Sequence, residues 1–205
     1  MKKKLSIIFF LLTMLLLSVN IYAEMNVTVA QNADAKTLDP TASNDVPSHR
    51  VTLQIYDTLV ERDHGKLVPG LAESWTQVDP LTLDVKIRKN IKFHNGDPLT
   101  VGDVVFSLQK AKDAPSMMSF YSDIDKIEAV DDETVRITTK KPFGPLVNYL
   151  AHKGAGIMSE KVVKAAGDNY GQHPVGTGPF MFDSWVSADR IVLKANPDYY
   201  KGKPA

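Results

Sequence analysis

The most regular hydrophobic pattern in the chain lies between Gly70 and Leu108. It begins as an alternation typical of a strand with one buried and one solvated face, in which the apolar residues are Leu83, Val85 and Ile87. Beyond a turn it continues at helical spacing, with apolar residues at Val101, Val104, Val105, Leu108 and Ala111. The pattern therefore predicts a strand followed by an amphipathic helix.

The connection between this strand and this helix carries two local signals. The segment 94–97, His-Asn-Gly-Asp, predicts a tight turn, because Asn and Gly tolerate the left-handed backbone that such turns require. Thr100 is a favourable helix N-cap, and Asp103, three residues later, is the acidic partner expected in a first turn. Both signals predict a helix that begins directly after Thr100.

The remaining periodicity predicts further helices and strands and no internal repeat. We predict a first strand at residues 26–30 and a helix at 47–59 whose inner face carries Val51, Ile55 and Leu59. Two hairpins and two shorter helices are predicted as well. The hairpins pair 124–130 with 134–139 and 180–186 with 191–195, and the helices cover 145–151 and 160–166. The Gly- and Pro-rich segment 171–179 is expected to cross between elements, and the fold class is α/β of the mixed α+β kind.

The chain begins with a basic and then apolar stretch. Three lysines at residues 2–4 precede an apolar run at 5–19, and Ala23 offers a small residue before a cleavage point. A retained membrane anchor is the alternative, but a spanning helix needs about 20 apolar residues and this run is shorter. We therefore predict that residues 1–23 are a cleavable secretory signal peptide.

Charge and cysteine content exclude several classes of protein. The sequence has 24 basic and 24 acidic residues; without the three lysines of the predicted signal peptide, 21 basic residues remain against 24 acidic ones, a formal charge of −3. This balance argues against binding to nucleic acid. The absence of cysteine excludes disulfides, cysteine-ligated metals and thiol catalysis, and also a lipid anchor on an N-terminal cysteine.

Several sequence motifs are informative as an ordered set. They are LDP at 38–40, IYDTLVE at 55–61, LAESW at 71–75, IKFHNGDPLTVGDVVFSL at 91–108, KKPFGPL at 140–146, PVGTGPF at 174–180 and NPDYYKGKP at 196–204. With these motifs, the chain from Met25 onward resembles the large extracytoplasmic solute-binding proteins of ABC transporters, family 5. Members of this family take up dipeptides, oligopeptides, glutathione or nickel.

The resemblance implies a periplasmic binding protein-like class II fold, of which the chain would hold only a part. Residues 24–64 and 172–205 would form part of the first ligand-binding lobe, and residues 65–171 an inserted α+β domain. Family members are more than twice as long, so we expect an N-terminal fragment that lacks the second lobe. Because the second lobe would be missing, we expect exposed sheet edges and exposed apolar surface.

The function implied by the resemblance is binding without chemistry, not catalysis by an enzyme. Two lobes would close on a dipeptide, an oligopeptide or glutathione, and the closed form would deliver it to an ABC permease and ATPase complex in the inner membrane. The full-length protein would be a monomer without cofactors, located in the periplasm. A receptor for nickel, haem or another non-peptide solute on the same scaffold stays open, and so does a secreted hydrolase.

Candidate catalytic and metal-binding residues are few. The five histidines are scattered along the sequence without the spacing of a metal or catalytic motif, so we expect neither kind of site. His94 is assigned to the turn at 94–97. Gly176 and Gly178 do not make a phosphate loop, because the Lys-Ser/Thr that would follow is missing, and a tight backbone crossing explains them better.

The best candidate for a ligand contact is the polar loop at residues 41–48, which follows the LDP motif and leads into a helix. Its amides and small polar side chains can converge on a ligand without steric crowding, and in peptide-binding relatives the corresponding loop forms part of the cleft wall. The candidate contacts are Thr41, Ala42, Ser43, Asn44 and Asp45. The alternative is an ordinary turn before a helix.

Overall fold

The computed structural model of the protein describes residues 26–204. The predicted signal peptide, residues 1–23, lies outside the described residues. Residues 26–30 belong to no helix or strand, so the prediction of a first strand there is wrong. None of the described sheets includes them, and a strand requires a paired neighbour. Within residues 26–204, no helix has both the length and the apolar content to cross a bilayer.

The helices and strands of the compact unit formed by residues 31–204 alternate along the chain. The helices are α1 (Val46–Ile55), α2 (Val101–Asp113), α3 (Met118–Tyr121), α4 (Leu146–Tyr149) and α5 (Glu160–Ala166). The strands are β1 (Val60–Asp63), β2 (Lys66–Pro69), β3 (Ala72–Asp79), β4 (Thr82–Ile87), β5 (Ile124–Ala129), β6 (Thr134–Thr139), β7 (Phe180–Val186) and β8 (Arg190–Ala195). Short 3₁₀ helices cover Pro115–Met117, Lys153–Ala155 and Gly167–Gln172. Both predicted hairpins and the helix at 160–166 are confirmed, whereas the helix predicted at 145–151 is a single turn.

Strands β3 to β6 form an antiparallel sheet in the order β3-β4-β6-β5. Val85 of β4 lies opposite Val135 of β6, and Leu83 lies opposite Ile137, so that buried side chains face one another. Helix α2 packs across β5 and β6. Its buried apolar residues are Val101, Val104, Leu108 and Ala111. The predicted strand and amphipathic helix are confirmed, because their apolar faces meet in one core.

Helix α2 begins with the predicted capping box. The Thr100 hydroxyl oxygen accepts from the Asp103 N–H at 3.2 Å, and the Asp103 carboxylate accepts from the Thr100 N–H at 2.9 Å. The other carboxylate oxygen of Asp103 accepts from the backbone N–H of Glu160, the first residue of α5, at 2.9 Å. One buried carboxylate therefore caps α2 and also attaches α5 to it.

Two clusters of buried apolar side chains stabilise the unit. The larger cluster draws on residues 59–157 and contains the four-stranded sheet and α2. The smaller cluster draws on residues 35–56 and 158–170, and the β7–β8 hairpin packs against it with partly buried side chains. This hairpin is a sheet of only two strands, so both of its edges are unpaired within the described residues. Exposed sheet edges were expected from the resemblance.

The proposed division into domains is not decided by this packing. The sequence places residues 24–64 and 172–205 in one lobe and 65–171 in an inserted domain. Along the chain, the buried residues pass from the smaller cluster to the larger one between residues 56 and 59, and back to the smaller one between 157 and 158. The domain boundaries therefore stay a prediction.

Helix α1 ends at Ile55, four residues before its predicted end. Beyond it, the chain hydrogen-bonds to the start of β3 and the residues just before it: the N–H groups of Gly70 and Ala72 donate to the Leu59 carbonyl at 3.0 and 2.9 Å. Leu59 is buried, as predicted, but it lies in the bend just before β1. The helical spacing of apolar residues predicted too long a helix. Near Leu59, the backbone hydrogen-bonds to Gly70 and Ala72 in place of continuing the helix.

The segment 171–179 crosses closely against the end of α1, as predicted. The Gly178 N–H donates to the Ile55 carbonyl oxygen at 2.9 Å. His94 joins this crossing: its Nε2 lies 3.0 Å from the Gly178 carbonyl oxygen, and its backbone N–H donates to the Gly176 carbonyl at 2.9 Å. Burial lowers the pKa of His94, so the ring is neutral and Nε2 carries the donated proton. His94 therefore connects the turn to the crossing segment.

We expect Gly178→Ala to destabilise the protein by about 1–3 kcal/mol, the usual cost of overpacking. A Cβ at this position would lie 2.7 Å from the backbone carbonyl oxygens of Gln54 and Ile55, and backbone atoms cannot easily move away. Gly144→Ala is the matched control, because a Cβ there meets nothing within 4 Å. Urea unfolding of both variants measures the difference, and equal free energies of unfolding would contradict the close crossing.

Asp57, just beyond α1, is a buried carboxylate that joins three segments of the chain. It accepts hydrogen bonds from the Thr177 hydroxyl at 2.8 Å and from the Tyr199 hydroxyl at 2.9 Å. Burial, only partly offset by these two hydrogen bonds, raises the pKa of Asp57 to about 6. The native state therefore favours the protonated carboxyl more than the unfolded state does.

This raised pKa predicts a loss of stability as pH increases. Between about pH 4 and pH 6 the unfolded chain releases the Asp57 proton before the folded chain does, so the free energy of unfolding should fall, by roughly 2 kcal/mol, before levelling off near pH 7. Asp57→Asn should remove this part of the pH dependence. Urea unfolding at several pH values measures it, with the exposed Asp132→Asn as control. An unchanged pH profile in Asp57→Asn would contradict the assignment.

Candidate functional site

The candidate loop begins with a polar cluster around a buried carboxylate. One oxygen of Asp39 accepts from both the N–H and the hydroxyl of Thr41 at 2.8 Å. Its other oxygen accepts from the Lys110 ammonium at 2.8 Å, and Lys110 also donates to the Thr41 hydroxyl at 2.9 Å. The Ser116 hydroxyl donates to the Thr41 carbonyl at 2.5 Å. Groups from α2 and the turn after it thus hold the start of the loop in one conformation.

The end of the candidate loop is fixed by the N-terminus of α1. Asp45 is the N-cap residue, and its carboxylate accepts from the backbone N–H and the hydroxyl of Ser48, both at 2.9 Å, and from the Ser43 hydroxyl. Burial acts to raise the pKa of Asp45, but these hydrogen bonds outweigh it and lower the pKa. Asp45 therefore stays ionised and its carboxylate is occupied by the protein itself.

The five predicted contact residues differ in what they can offer a ligand. Thr41 is fully buried, and its hydroxyl, N–H and carbonyl already have partners. Ser43 and Asp45 bond to each other. Ala42 and Asn44 are exposed, so these two residues project from the loop between its fixed ends. Contact of any of the five with a ligand stays a prediction.

An open hollow of about 410 Å³ adjoins the loop. Two of its sides come from the loop region and from α2, and a third from the end of α5 and the 3₁₀ helix after it. Its lining residues are Thr37, Asp39, Ala42, Lys110, Val163, Gly167, Asp168 and Gly171. Sites for small molecules have mostly apolar walls with a few fixed polar groups, whereas the apolar side chains of this lining are Ala42 and Val163 and the rest is polar or glycine. The hollow is therefore an open polar recess beside the loop.

Sequence reasoning missed Lys110, although it makes the ion pair that holds the start of the loop. Lys110 lies on α2, 71 residues from Asp39, beside the apolar positions that defined the helix. Its side chain is only 30% exposed and pairs with a carboxylate that is 11% exposed. No local pattern distinguishes it from Lys112, the other lysine of the helix, so only tertiary structure could identify it.

Groups that could support catalysis or bind a metal do not converge on this loop. Within residues 26–204, no three side chains among His, Asp and Glu are arranged to hold a metal ion. The Ser48 hydroxyl donates to Asp45 and accepts from the Lys36 N–H at 2.9 Å, which is a structural arrangement. His49 and His152, distant in sequence, do lie together, with ring centroids 5.9 Å apart.

The chain matches the family model of the bacterial extracellular solute-binding proteins, family 5 Middle, over residues 66–205. It is 37% identical over 185 residues to the glutathione-binding protein GsiB of Escherichia coli strain 536, an alignment that covers 88% of this chain and 36% of GsiB. This chain therefore belongs to the bacterial extracellular solute-binding proteins of family 5. The matched part of the chain spans 36% of the length of that relative.

Solved structures agree with this assignment. MoaA of A. tumefaciens, in complex with mannopinic acid, has 35% sequence identity and a TM-score of 0.80, covering 84% of this chain and 37% of MoaA. The ABC transporter-associated periplasmic binding protein DppA of Helicobacter pylori, in complex with the peptide STSA, has 31% identity and a TM-score of 0.74, covering 82% of this chain and 38% of DppA. The mixed α/β fold is thus that of periplasmic binding proteins, of which this chain spans a little over a third.

We expect Lys110→Met to destabilise the protein by about 1–3 kcal/mol, because it leaves the buried Asp39 carboxylate without its cation. Lys161→Met is the control: Lys161 is 78% exposed and pairs with Asp97 at the surface, where ion pairs contribute less than about 1 kcal/mol. Urea unfolding compares the two, and the Thr41 amide resonance reports on the loop. Equal losses in the free energy of unfolding for the two variants, or an unchanged Thr41 resonance in Lys110→Met, would contradict the role given to Lys110.

Proposed function

We propose that this chain is part of the extracytoplasmic solute-binding component of an ABC importer. The component captures peptides, either dipeptides, oligopeptides or glutathione, and delivers them to a permease and ATPase complex in the inner membrane. It acts in the periplasm as a monomer, and it binds its solute without transforming it. Family membership supports the receptor role, and the glutathione-binding and peptide-bound relatives support the class of solute.

The main structural support for this proposal is the way in which the protein holds the loop at 41–45. Both ends of the loop are held by hydrogen bonds within the protein, at Thr41 and at Asp45, while Ala42 and Asn44 between them are exposed. A loop fixed in this way loses little conformational entropy when a ligand binds to its middle. Its one carboxylate, that of Asp45, already accepts hydrogen bonds from Ser43 and Ser48 and is not poised for proton transfer, which favours recognition over catalysis.

The proposed mechanism is closure of two lobes around the solute. In this arrangement the loop would form one wall of the cleft, and a second lobe would supply the facing wall and partners for the charged ends of a peptide. The chain spans 36% of the length of GsiB, so many of those groups lie outside it. Binding by these 205 residues alone should therefore be weak.

A receptor for a non-peptide solute is the second candidate. Its specific support is MoaA, which holds mannopinic acid and has the TM-score of 0.80 given above. A nickel ABC transporter protein of Bacillus halodurans, with 32% identity and a TM-score of 0.72, adds to it. A scaffold shared by such different ligands does not determine the solute by itself.

Calorimetry on a chimera tests the proposal. Residues 26–205 are joined to the part of GsiB that follows the aligned region, and glutathione, dialanine and nickel with histidine are titrated in turn. We expect binding of glutathione or the dipeptide, which Ala42→Arg should weaken more than about tenfold by filling the space beside the loop. The same substitution at exposed Ala129, on β5, is the control and should leave the affinity unchanged.

Three outcomes would contradict the proposal. Binding of nickel with histidine in preference to both peptides would favour the second candidate. Cleavage of a peptide during the titration would indicate a hydrolase. Equal affinities for the Ala42→Arg and Ala129→Arg chimeras would remove the loop at 41–45 from the binding site.

A further inference from the structure

Two histidine rings lie together next to the candidate loop. His49 of α1 and His152 meet edge to face, with ring centroids 5.9 Å apart and an interplanar angle of 84°. The His152 ring also stacks on Phe120 of α3, with centroids 4.1 Å apart and an angle of 28°. His49 is 2% exposed. We call these two residues the histidine pair.

The hydrogen bonds of the histidine pair suit uncharged rings. Nδ1 of His152 accepts from the backbone N–H of Gly154 at 3.1 Å, so this nitrogen carries no proton. A charged imidazole has N–H groups on both nitrogens, and a proton on Nδ1 would face another donor. Nε2 of His49 is buried and has no hydrogen-bond partner within the described part of the chain. Protonation of His152 at Nδ1 would therefore break its hydrogen bond with the Gly154 N–H. Protonation of His49 at Nε2 would create an N–H group that has no acceptor among the described residues.

The groups around the histidine pair do not provide a counter-ion for both rings. Burial has the largest effect and lowers the pKa of His49, and it lowers that of His152 to about 4. Lys153, which follows His152, opposes protonation of both rings. Asp45 and the backbone carbonyls of the loop at Pro40 and Ser43 favour a charge on His49 but do not outweigh burial, and Phe120 from α3 carries no charge.

Contact of His49 with the loop connects this pair to the candidate site. The backbone N–H of His49 donates to the carbonyl of Asp45, the last of the five loop residues, at 3.2 Å. The loop backbone at Pro40 and Ser43 acts to raise the pKa of the His49 ring, which places the ring beside the loop. His152 in turn caps the 3₁₀ helix Lys153–Ala155. Displacement of His49 would disturb the start of α1, which Asp45 caps, and displacement of His152 would remove the cap of a 3₁₀ helix that packs against α1.

We propose that the histidine pair makes the loop at 41–45 sensitive to acid: two neutral rings hold the loop in place near neutral pH, and protonation of either ring separates the pair and loosens the loop. The opened state accepts a proton more readily than the packed state, so acidification shifts the population towards it. Release of a bound solute in acid would follow, and that consequence alone rests on the proposed function.

Amide hydrogen exchange on the whole chain without ligand tests this inference. After correction for the intrinsic exchange rate, protection of residues 41–45 should fall at least about tenfold between about pH 7 and pH 5, the effect of roughly one unit of pKa difference between the packed and opened states. His152→Asn keeps a side-chain acceptor for the Gly154 N–H but cannot be charged. Its loss of protection should therefore be at least about threefold smaller than that of the wild type, and the pH dependence that remains comes from His49. His64→Asn is the matched control, because the side chain of His64 is 95% exposed, and it should behave as the wild type does.

The inference is wrong if wild-type protection is independent of pH, or if His152→Asn loses protection as the wild type does. Should His152→Asn fail to fold, an NMR titration of the wild-type imidazole protons replaces it. The His152 ring should then titrate near pH 4, together with the amides of the loop, and a His152 titration at about pH 6.5 or above would overturn the inference. No ligand is present in either experiment, so failure of peptide binding is a separate result.

Discussion

The close approach of residues 176–178 to the end of helix α1 is the contact on which the rest of the structure depends. The Gly178 N–H bonds to the carbonyl of Ile55 at the point where the helix stops. His94 bonds to the same crossing segment from the far side, and Thr177 reaches the buried carboxylate of Asp57. Because glycine lacks a Cβ, the two backbones can pass at hydrogen-bond distance, and the larger and smaller clusters of buried side chains are joined there.

The position of the candidate loop depends on this contact between the two buried clusters. Its N-terminal end is held by Lys110, which belongs to the helix of the larger cluster, and its C-terminal end is fixed by α1, whose last residue belongs to the smaller one. The polar groups at both ends bond to the protein, so the middle of the loop can be exposed and still be well positioned. This is the arrangement that a binding surface requires, since a preorganised contact avoids the entropic cost of ordering a mobile loop.

Buried titratable groups give this fold two opposite responses to pH. The Asp57 carboxyl is stabilised in its protonated form by burial, whereas the same physical effect keeps His49 and His152 uncharged. Acid therefore favours the packing around Asp57 and opposes the packing beside the candidate loop. The two responses come from different places in the structure, so the loop can respond to acid while the crossing at α1 is retained.

The sequence by itself determined the elements whose signals are local, together with family membership: the alternation of β4, the capping box of α2, both hairpins, and the tight crossing at Gly176 and Gly178. It also located the loop at 41–45. Only the tertiary structure decided where α1 ends, that residues 26–30 form no strand, that Lys110 holds the loop, and that His49 meets His152. The reason is physical: caps, turns and periodicity act within a few residues, whereas these other features depend on hydrogen bonds and packing between segments far apart in the chain.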